Sequence, residues 1–257
     1  MRIELATAPG DPQRPNEDYA SVALPASGHG GALVVLDGVT PPPDGDTGCA
    51  HGVPWYTVRL GGALLELTGS RPDATLTDCL AYAIERTAEA HSSTCDLSHP
   101  LTPQATVVVA RWGTDRVEYL VLSDSALLIE RTGGAVTAVL DDRIDRLRAE
   151  GRRVGPLRNI EGGFFTAAAD PTVVTKAVTG SLPRTEVRAL AALTDGASRW
   201  VEVFHEGDWA ACLGLLRKEG PQALIDRVRA AEHADPDRAA FPRGKAHDDA
   251  AAVFVEP

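Results

Sequence analysis

Four aspartates, far apart in the chain, each stand at the edge of a short apolar run. Val34-Val35-Leu36 leads into Asp37-Gly38, Val121-Leu122-Ser123 into Asp124-Ser125, and Ala192-Leu193-Thr194 into Asp195-Gly196. The fourth, in His247-Asp248-Asp249, opens the apolar run 250–255. Short apolar runs bounded by Gly, Ser or charge read as buried strands, and buried strands bring their ends to shared faces of a sheet. Carboxylates gathered at such ends repel one another and lose hydration unless a cation lies between them. A ligand set of oxygens alone favours Mg²⁺ or Mn²⁺ over zinc. The pattern points to a metal-dependent enzyme whose fold delivers several strand ends to one place.

The intervening sequence supplies the strands. Residues 2–8, 19–24 and 32–36 read as early strands, followed by the Pro/Gly/Asp loop 40–46, which is unsuited to regular structure. Leu60, Leu64 and Leu67 share a helical face weakened by Gly61-Gly62, and Leu76, Leu80, Ala83, Ile84 and Thr87 form a clearer helical stripe behind a cap at Asp73 or Thr75. Runs at 106–112, 117–122, 126–130 and 135–140 are separated by Gly113-Thr114-Asp115 and by Thr132-Gly133-Gly134, which predict antiparallel hairpins. A short helix over 142–150, a Gly-rich irregular stretch near Gly162-Gly163, a strand into Asp195, helices over 209–218 and 221–232, and a last strand complete the chain. Strands and paired helices in this order predict an α+β fold. We expect a layered α/β sandwich of two mainly antiparallel sheets flanked by paired helices, with 1–257 as a single domain.

Charge narrows the partners. The 25 Lys and Arg stand against 36 Asp and Glu, a net charge of −11, which argues against nucleic acid or an anionic membrane as a partner. No apolar stretch approaches the roughly 20 residues of a membrane span. Met1-Arg2-Ile3-Glu4 lacks the apolar core of a signal peptide, and Cys49, Cys79, Cys95 and Cys212 then read as reduced thiols of a cytoplasmic protein.

The order of the acidic motifs resembles the metal-dependent, type 2C serine/threonine protein phosphatases. Asn16-Glu17-Asp18 looks like that family's first acidic motif, and Asp37-Gly38-Val39 like its Asp-Gly element. Gln104-Ala105-Thr106 stands where the family has a Gly-Thr-Thr strand start, Ser123-Asp124-Ser125 resembles Gly-Asp-Ser, Thr194-Asp195-Gly196 resembles Ser-Asp-Gly, and Asp248-Asp249 the terminal Asp-Asn or Asp-Asp. The resemblance spans residues 16–255. It implies hydrolysis of phosphoserine or phosphothreonine in proteins by a water activated between two Mn²⁺ or Mg²⁺ ions. Asp37 would bridge the ions. Asp195 and Asp248 would complete one site; Glu17 and the Gly38 carbonyl would serve the other, with Asp18 holding bound waters. Asp124, with Asp195, would offer the third site that some members use. Asp37 and Asp195 are accordingly the expected catalytic acids, with Asp249 an outward or hydrogen-bonding neighbour rather than a ligand.

Departures from the family pattern concern the substrate. Gln13 stands where the family has its phosphate-holding arginine, leaving Arg14 as the nearest replacement, although an adjacent strand position would face the other way. Val39-Thr40-Pro41 replaces the usual Gly-Gly, and no His follows Asp37-Gly38. His51, in the loop after Asp37, is a candidate substrate contact on the variable rim. Cys49-Ala50-His51 and Cys95-Asp96-Leu97-Ser98-His99 invite a zinc reading, but their spacings match no usual structural pattern, so buried thiols and bracing histidines are the simpler expectation. Arg152, Arg153, Arg227 and Arg229 read as solvated charges, and His247 as a brace for Asp248. Two further readings stay open: a phosphatase of a small phosphorylated metabolite with the same ions, and a catalytically weak binding module on the same fold. The joint presence of Asp37, Asp195 and Asp248 speaks against the second of these.

Overall fold

The hairpins predicted in the middle of the chain become the centre of two sheets. The computed structural model describes residues 1–42 and 45–257, so Pro43 and Asp44 of the expected 40–46 loop lie outside the described residues. One sheet orders its strands β1 (Arg2–Ala8), β10 (Ala250–Glu256), β9 (Val187–Leu193), β6 (Ala126–Arg131), β7 (Val136–Val139). The other orders β2 (Tyr19–Ala23), β3 (Gly31–Leu36), β4 (Val107–Trp112), β5 (Arg116–Leu122), β8 (Val178–Pro183). Every pairing is antiparallel.

The sheets face each other across Leu33, Val35, Val108, Val121, Leu127, Leu190 and Val253. The alternate side chains of the same strands turn to helices. Val34, Leu36, Val107 and Leu120 meet α1 (Gly52–Ser70) and α2 (Leu76–Glu89), while Leu128, Ala191, Leu193 and Phe254 meet α4 (Asp195–Glu202), α5 (Trp209–Glu219) and α6 (Pro221–Ala234). Burial on both faces explains why these antiparallel strands read as unbroken apolar runs rather than as alternating ones. Each fully buried Leu or Phe contributes about 1.5–3 kcal/mol relative to exposure. The layered α+β sandwich is therefore as expected.

Three local features differ from the sequence reading. Strand β8 was not expected, because Gly180 and Pro183 weaken it; it survives as an edge strand whose residues alternate between half-buried and exposed. Helix α1 begins at Gly52 rather than near Leu60, so residues 52–56 are helix and not loop; Pro54 falls in the first turn, where its missing N–H costs nothing. Helix α4 was missed: it starts at Asp195 and reads as polar (Asp-Gly-Ala-Ser-Arg). The short helix α3 (Arg143–Ala149) falls where predicted, and α2 is closed by the Thr75–Asp78 capping box.

Candidate metal centre and active site

Asp37 follows the last residue of β3 and Asp195 follows β9, one from each sheet. The two meet: the Asp195 N–H donates to Asp37 Oδ2 at 3.3 Å. The Asp37 N–H donates to Thr106 Oγ1 at 3.2 Å, and the Thr106 N–H returns to the Asp37 carbonyl at 2.9 Å, which fixes the strand end against β4. The Thr194 hydroxyl donates to Asp18 Oδ2 at 2.8 Å while accepting from the Ala251 N–H at 2.8 Å. Asp18 Oδ1 is buried and has no hydrogen-bond partner. A buried carboxylate oxygen left bare costs about 1–3 kcal/mol or more, so it fits a site built for a cation.

The glycines after Asp37 and Asp195 serve close packing, not turns. A Cβ at Gly38 would meet the Glu17 carbonyl oxygen and Val53 Cγ1, both at 2.5 Å, and one at Gly196 would meet the Asp249 carbonyl oxygen at 1.9 Å. Asp249 itself accepts the Gly10 and Glu17 N–H groups, each at 2.7 Å, and so pins the first acidic segment against β10. Of the outward and hydrogen-bonding roles expected for it, the second is the one seen.

Electrostatics mark the same group. Burial, then the charges of Asp195 and Asp18, hold the Asp37 carboxyl well above the usual carboxylate range. Burial does the same to Asp18, opposed by the Thr194 hydroxyl and reinforced by Asp195. Asp195 is raised by burial and by Asp124, Glu17 and Asp124 chiefly by burial. Asp248 is pushed up to about 6 by burial and Asp195, against the pull of Lys245 and Arg199. Mutually destabilised acids of this kind are what a divalent cation would relieve.

The acids share a cleft of about 260 Å³ lined by Asp37, Asp124, Asp195 and Asp248, with Arg148, Arg158 and Lys245 around them. A second cleft of about 550 Å³ adjoins it through Thr40, Lys245 and Asp248 and includes Glu17 and Arg14. A larger groove of about 670 Å³ runs past Leu24, Leu65 and Trp112 and contains none of these acids. Within the acid-lined cleft, sequence reading missed three cations. Lys245 Nζ donates to Asp248 Oδ1 at 2.6 Å and to Thr40 Oγ1 at 2.9 Å, and the Thr40 hydroxyl in turn donates to Glu17. Arg158 is half-buried, its Nε has no partner, and burial pulls its pKa down while Asp124 raises it. Arg148 approaches Asp124 at 3.9 Å. A basic residue in a loop or on a short polar helix carries no signal that separates these from solvated charges.

Arg199 is the fourth unanticipated cation. It is only 5% exposed and bridges Glu232 Oε1 at 2.6 Å and Asp248 Oδ2 at 2.8 Å. Two expectations are corrected beside it. Arg229 is not solvated: it donates to Glu232 at 2.7 Å and to the Asp248 carbonyl at 2.6 Å. His247 does not brace Asp248 directly; its Nδ1 lies 3.0 Å from Glu232 Oε2, one link behind Arg199.

The remaining candidates separate. Arg14 stands in a turn, not a strand, with its side chain largely exposed and 3.8 Å from Asp11. His51 lines neither acidic cleft, although Gly52, Val53 and Pro54 beside it line the second; its ring centre lies 4.2 Å from that of Trp55 and its Nδ1 faces Cys49 and Cys95. Among the described residues, Cys49, His51 and Cys95 form the one trio of His, Cys, Asp or Glu whose ligand atoms all lie within 4.8 Å of one another. The carboxylates of the acid-lined cleft are spread more widely.

The Protein phosphatase 2C family model matches residues 11–226. The chain belongs to the protein phosphatase 2C family. Its fold is that of solved members at low identity. The serine/threonine phosphatase Stp1 from Staphylococcus aureus superposes with a TM-score of 0.64 at 13% identity, covering 99% of this chain and 94% of that one. The Mycobacterium tuberculosis serine/threonine phosphatase PstP/Ppp gives 0.60 at 18%, covering 98% and 97%. The catalytic domain of PstP in complex with two manganese ions gives 0.58 at 19%, covering 98% and 96%. No curated protein matches the sequence. Among the described residues, no helix of this family member is long and apolar enough to cross a membrane.

Proposed function

We propose that residues 1–257 act as one unit, a phosphomonoesterase that uses Mn²⁺ or Mg²⁺ to hydrolyse phosphoserine or phosphothreonine in proteins. The observation that carries the proposal is Asp18 Oδ1, buried and bare beside Asp37 and Asp195, whose carboxyls burial and mutual repulsion destabilise. Asp18, Asp37, Asp195 and Asp248, with Glu17 and the Gly38 carbonyl, are the groups that would hold two ions; Asp124, with Asp195, would serve a third. Bound there, such ions would acidify water and neutralise charge at phosphorus.

The chain's own residues do the rest. Thr106, Thr194 and Arg199 each hold one acid in place, Asp37, Asp18 and Asp248 in turn. Arg158 and Lys245 reach the acid-lined cleft and supply the positive charge that Gln13 cannot, so they take the phosphate oxygens; Arg14 lies in the neighbouring cleft. The cleft is small enough for a phosphorylated side chain to enter while the rest of a protein stays outside.

The purified protein tests this on a panel of phosphopeptides and small phosphorylated metabolites, with Mn²⁺ and with excess chelator. Metal-dependent hydrolysis of phosphopeptides over metabolites is expected. Preference for a metabolite would keep the site and change the substrate, whereas full activity in chelator would remove both.

A further inference from the structure

We propose that Cys49, His51 and Cys95 form a second, soft-metal site, selective for Zn²⁺ and separate from the carboxylates. The two sulfurs are 3.2 Å apart, and His51 Nδ1 lies 3.3 Å from Cys95 Sγ and 3.7 Å from Cys49 Sγ. Tetrahedral zinc with Zn–S near 2.3 Å and Zn–N near 2.0 Å sets S···S at about 3.8 Å and S···N at about 3.6 Å. The three edges outline one face of a zinc tetrahedron, with the two S···N edges within about 0.3 Å of it and the sulfurs about 0.6 Å too close, a gap that metal binding would open. Two thiolates and an imidazole suit zinc, and they suit Mn²⁺ or Mg²⁺ poorly. A disulfide would account for the sulfurs alone, but not for an imidazole nitrogen set against both.

The surroundings are built for it. Gly48 and Gly52, at φ +66° and +76°, let the chain turn on either side of Cys49 and His51, and the Asp96 N–H donates to the Gly48 carbonyl at 2.7 Å, tying the two segments together. The His51 N–H points at Cys49 Sγ at 3.5 Å, an outer hydrogen bond of the kind that supports a bound thiolate. Next to the trio, buried His91 has its Nδ1 2.7 Å from the Thr87 carbonyl, so Nδ1–H donates to that carbonyl and holds the ring in place. Its ring centre is 5.8 Å from that of His51, edge to face. His51 is also the N-cap residue of α1 and makes no capping bond, so its side chain is free for this use.

The consequence is a staple. Zinc there would lock the start of α1 to the connection between α2 and β4. Val53, in the first turn of α1, packs against Gly38, so the staple would steady the backbone beside Asp37.

The site is tested on the full-length Asp37→Asn protein, which weakens the carboxylate centre as a competing place for the metal and makes the result independent of phosphatase activity. After removal of metals under reducing conditions, Co²⁺ and then Zn²⁺ are added. We expect one equivalent of Co²⁺ with thiolate-to-cobalt charge-transfer and tetrahedral d–d bands, its displacement by Zn²⁺, and a rise in thermal midpoint. Adding Cys95→Ser or His51→Asn should abolish the bands and the thermal shift. Circular dichroism of the metal-free variants checks that they fold, and the two differ enough that one misfolding leaves the other decisive. Cobalt bound without sulfur bands, zinc retained by both variants, or a Cys49–Cys95 disulfide whose reduction yields no zinc binding would each overturn the proposal.

Discussion

On the α4–α6 side of the cleft, the buried acids Glu232 and Asp248 are held by Arg199, Arg229 and Lys245, with His247 against Glu232. On the side made by the ends of β3 and β9, the described residues show no ion pair to Asp18, Asp37 or Asp195. Burial pushes every one of these carboxyls upward. For Glu232 the hydrogen bonds of Arg229 and His247 overcome that push and its pKa falls below the usual value, whereas at Asp37 the neighbours are further acids and it rises. The contrast separates the part of the cluster that serves as scaffold from the part that, on the proposed function, is open to a cation from solution. Asp248 belongs to both: two side-chain cations hold it, yet it stays raised to about 6.

Substitutions should therefore split by side. The largest effect is expected from Asp37→Asn, a loss on the order of a thousandfold in kcat on an aryl phosphate, because in the proposed centre Asp37 would bridge the ions and contribute several kcal/mol. Its metal-free thermal midpoint should hold or rise as repulsion is relieved. Steady-state kinetics and a thermal melt read both, and retention of more than about a tenth of the rate would reduce Asp37 to a strand terminator. Arg199→Met should do the opposite to stability. Leaving Glu232 and Asp248 short of a buried partner costs about 3 kcal/mol, the low end for a broken buried pair because Arg229 and Lys245 remain. Denaturant unfolding of the metal-free proteins measures it; a loss like that of a surface pair would erase the contrast between the two sides.

Two smaller effects sharpen the comparison. Arg158→Ala should raise KM about tenfold or more, since hydrogen bonds to charged groups contribute roughly 1.5–3 kcal/mol, while Arg14→Ala should change it about twofold at most. The reverse ranking would move the phosphate contact to the adjoining cleft. The mildest test is pH. Glu232, depressed in the fold, adds stability that is lost as pH falls below its ordinary 4.5. Asp248, raised from 3.8 to about 6, adds stability at low pH that is lost as pH climbs between those values, with Asp18 and Asp37 acting in the same direction. Metal-free stability should thus peak at mildly acidic pH and decline toward neutrality, and saturating Mn²⁺ should flatten the decline. A monotonic rise to neutrality without metal would show that the β3/β9 acids are compensated after all.

The layers and the acids are legible from the order of residues alone. Strands buried on both faces must be written as apolar runs, so β3, β9 and β10 announce themselves, and the Asp at each boundary is visible because it interrupts the run. What only the tertiary structure decided is the company those acids keep. Lys245 and Arg158 sit in irregular segments and Arg199 in a short polar helix, where nothing local distinguishes a buried guanidinium from a solvated one. Likewise Cys49 and Cys95, 46 residues apart, form no recognisable spacing until Gly48 and Gly52 turn the chain and Asp96 is hydrogen-bonded to Gly48. Burial is a property of single residues and leaves a trace in hydrophobic pattern; charge compensation is a property of pairs, and distant pairs exist only once the chain has folded.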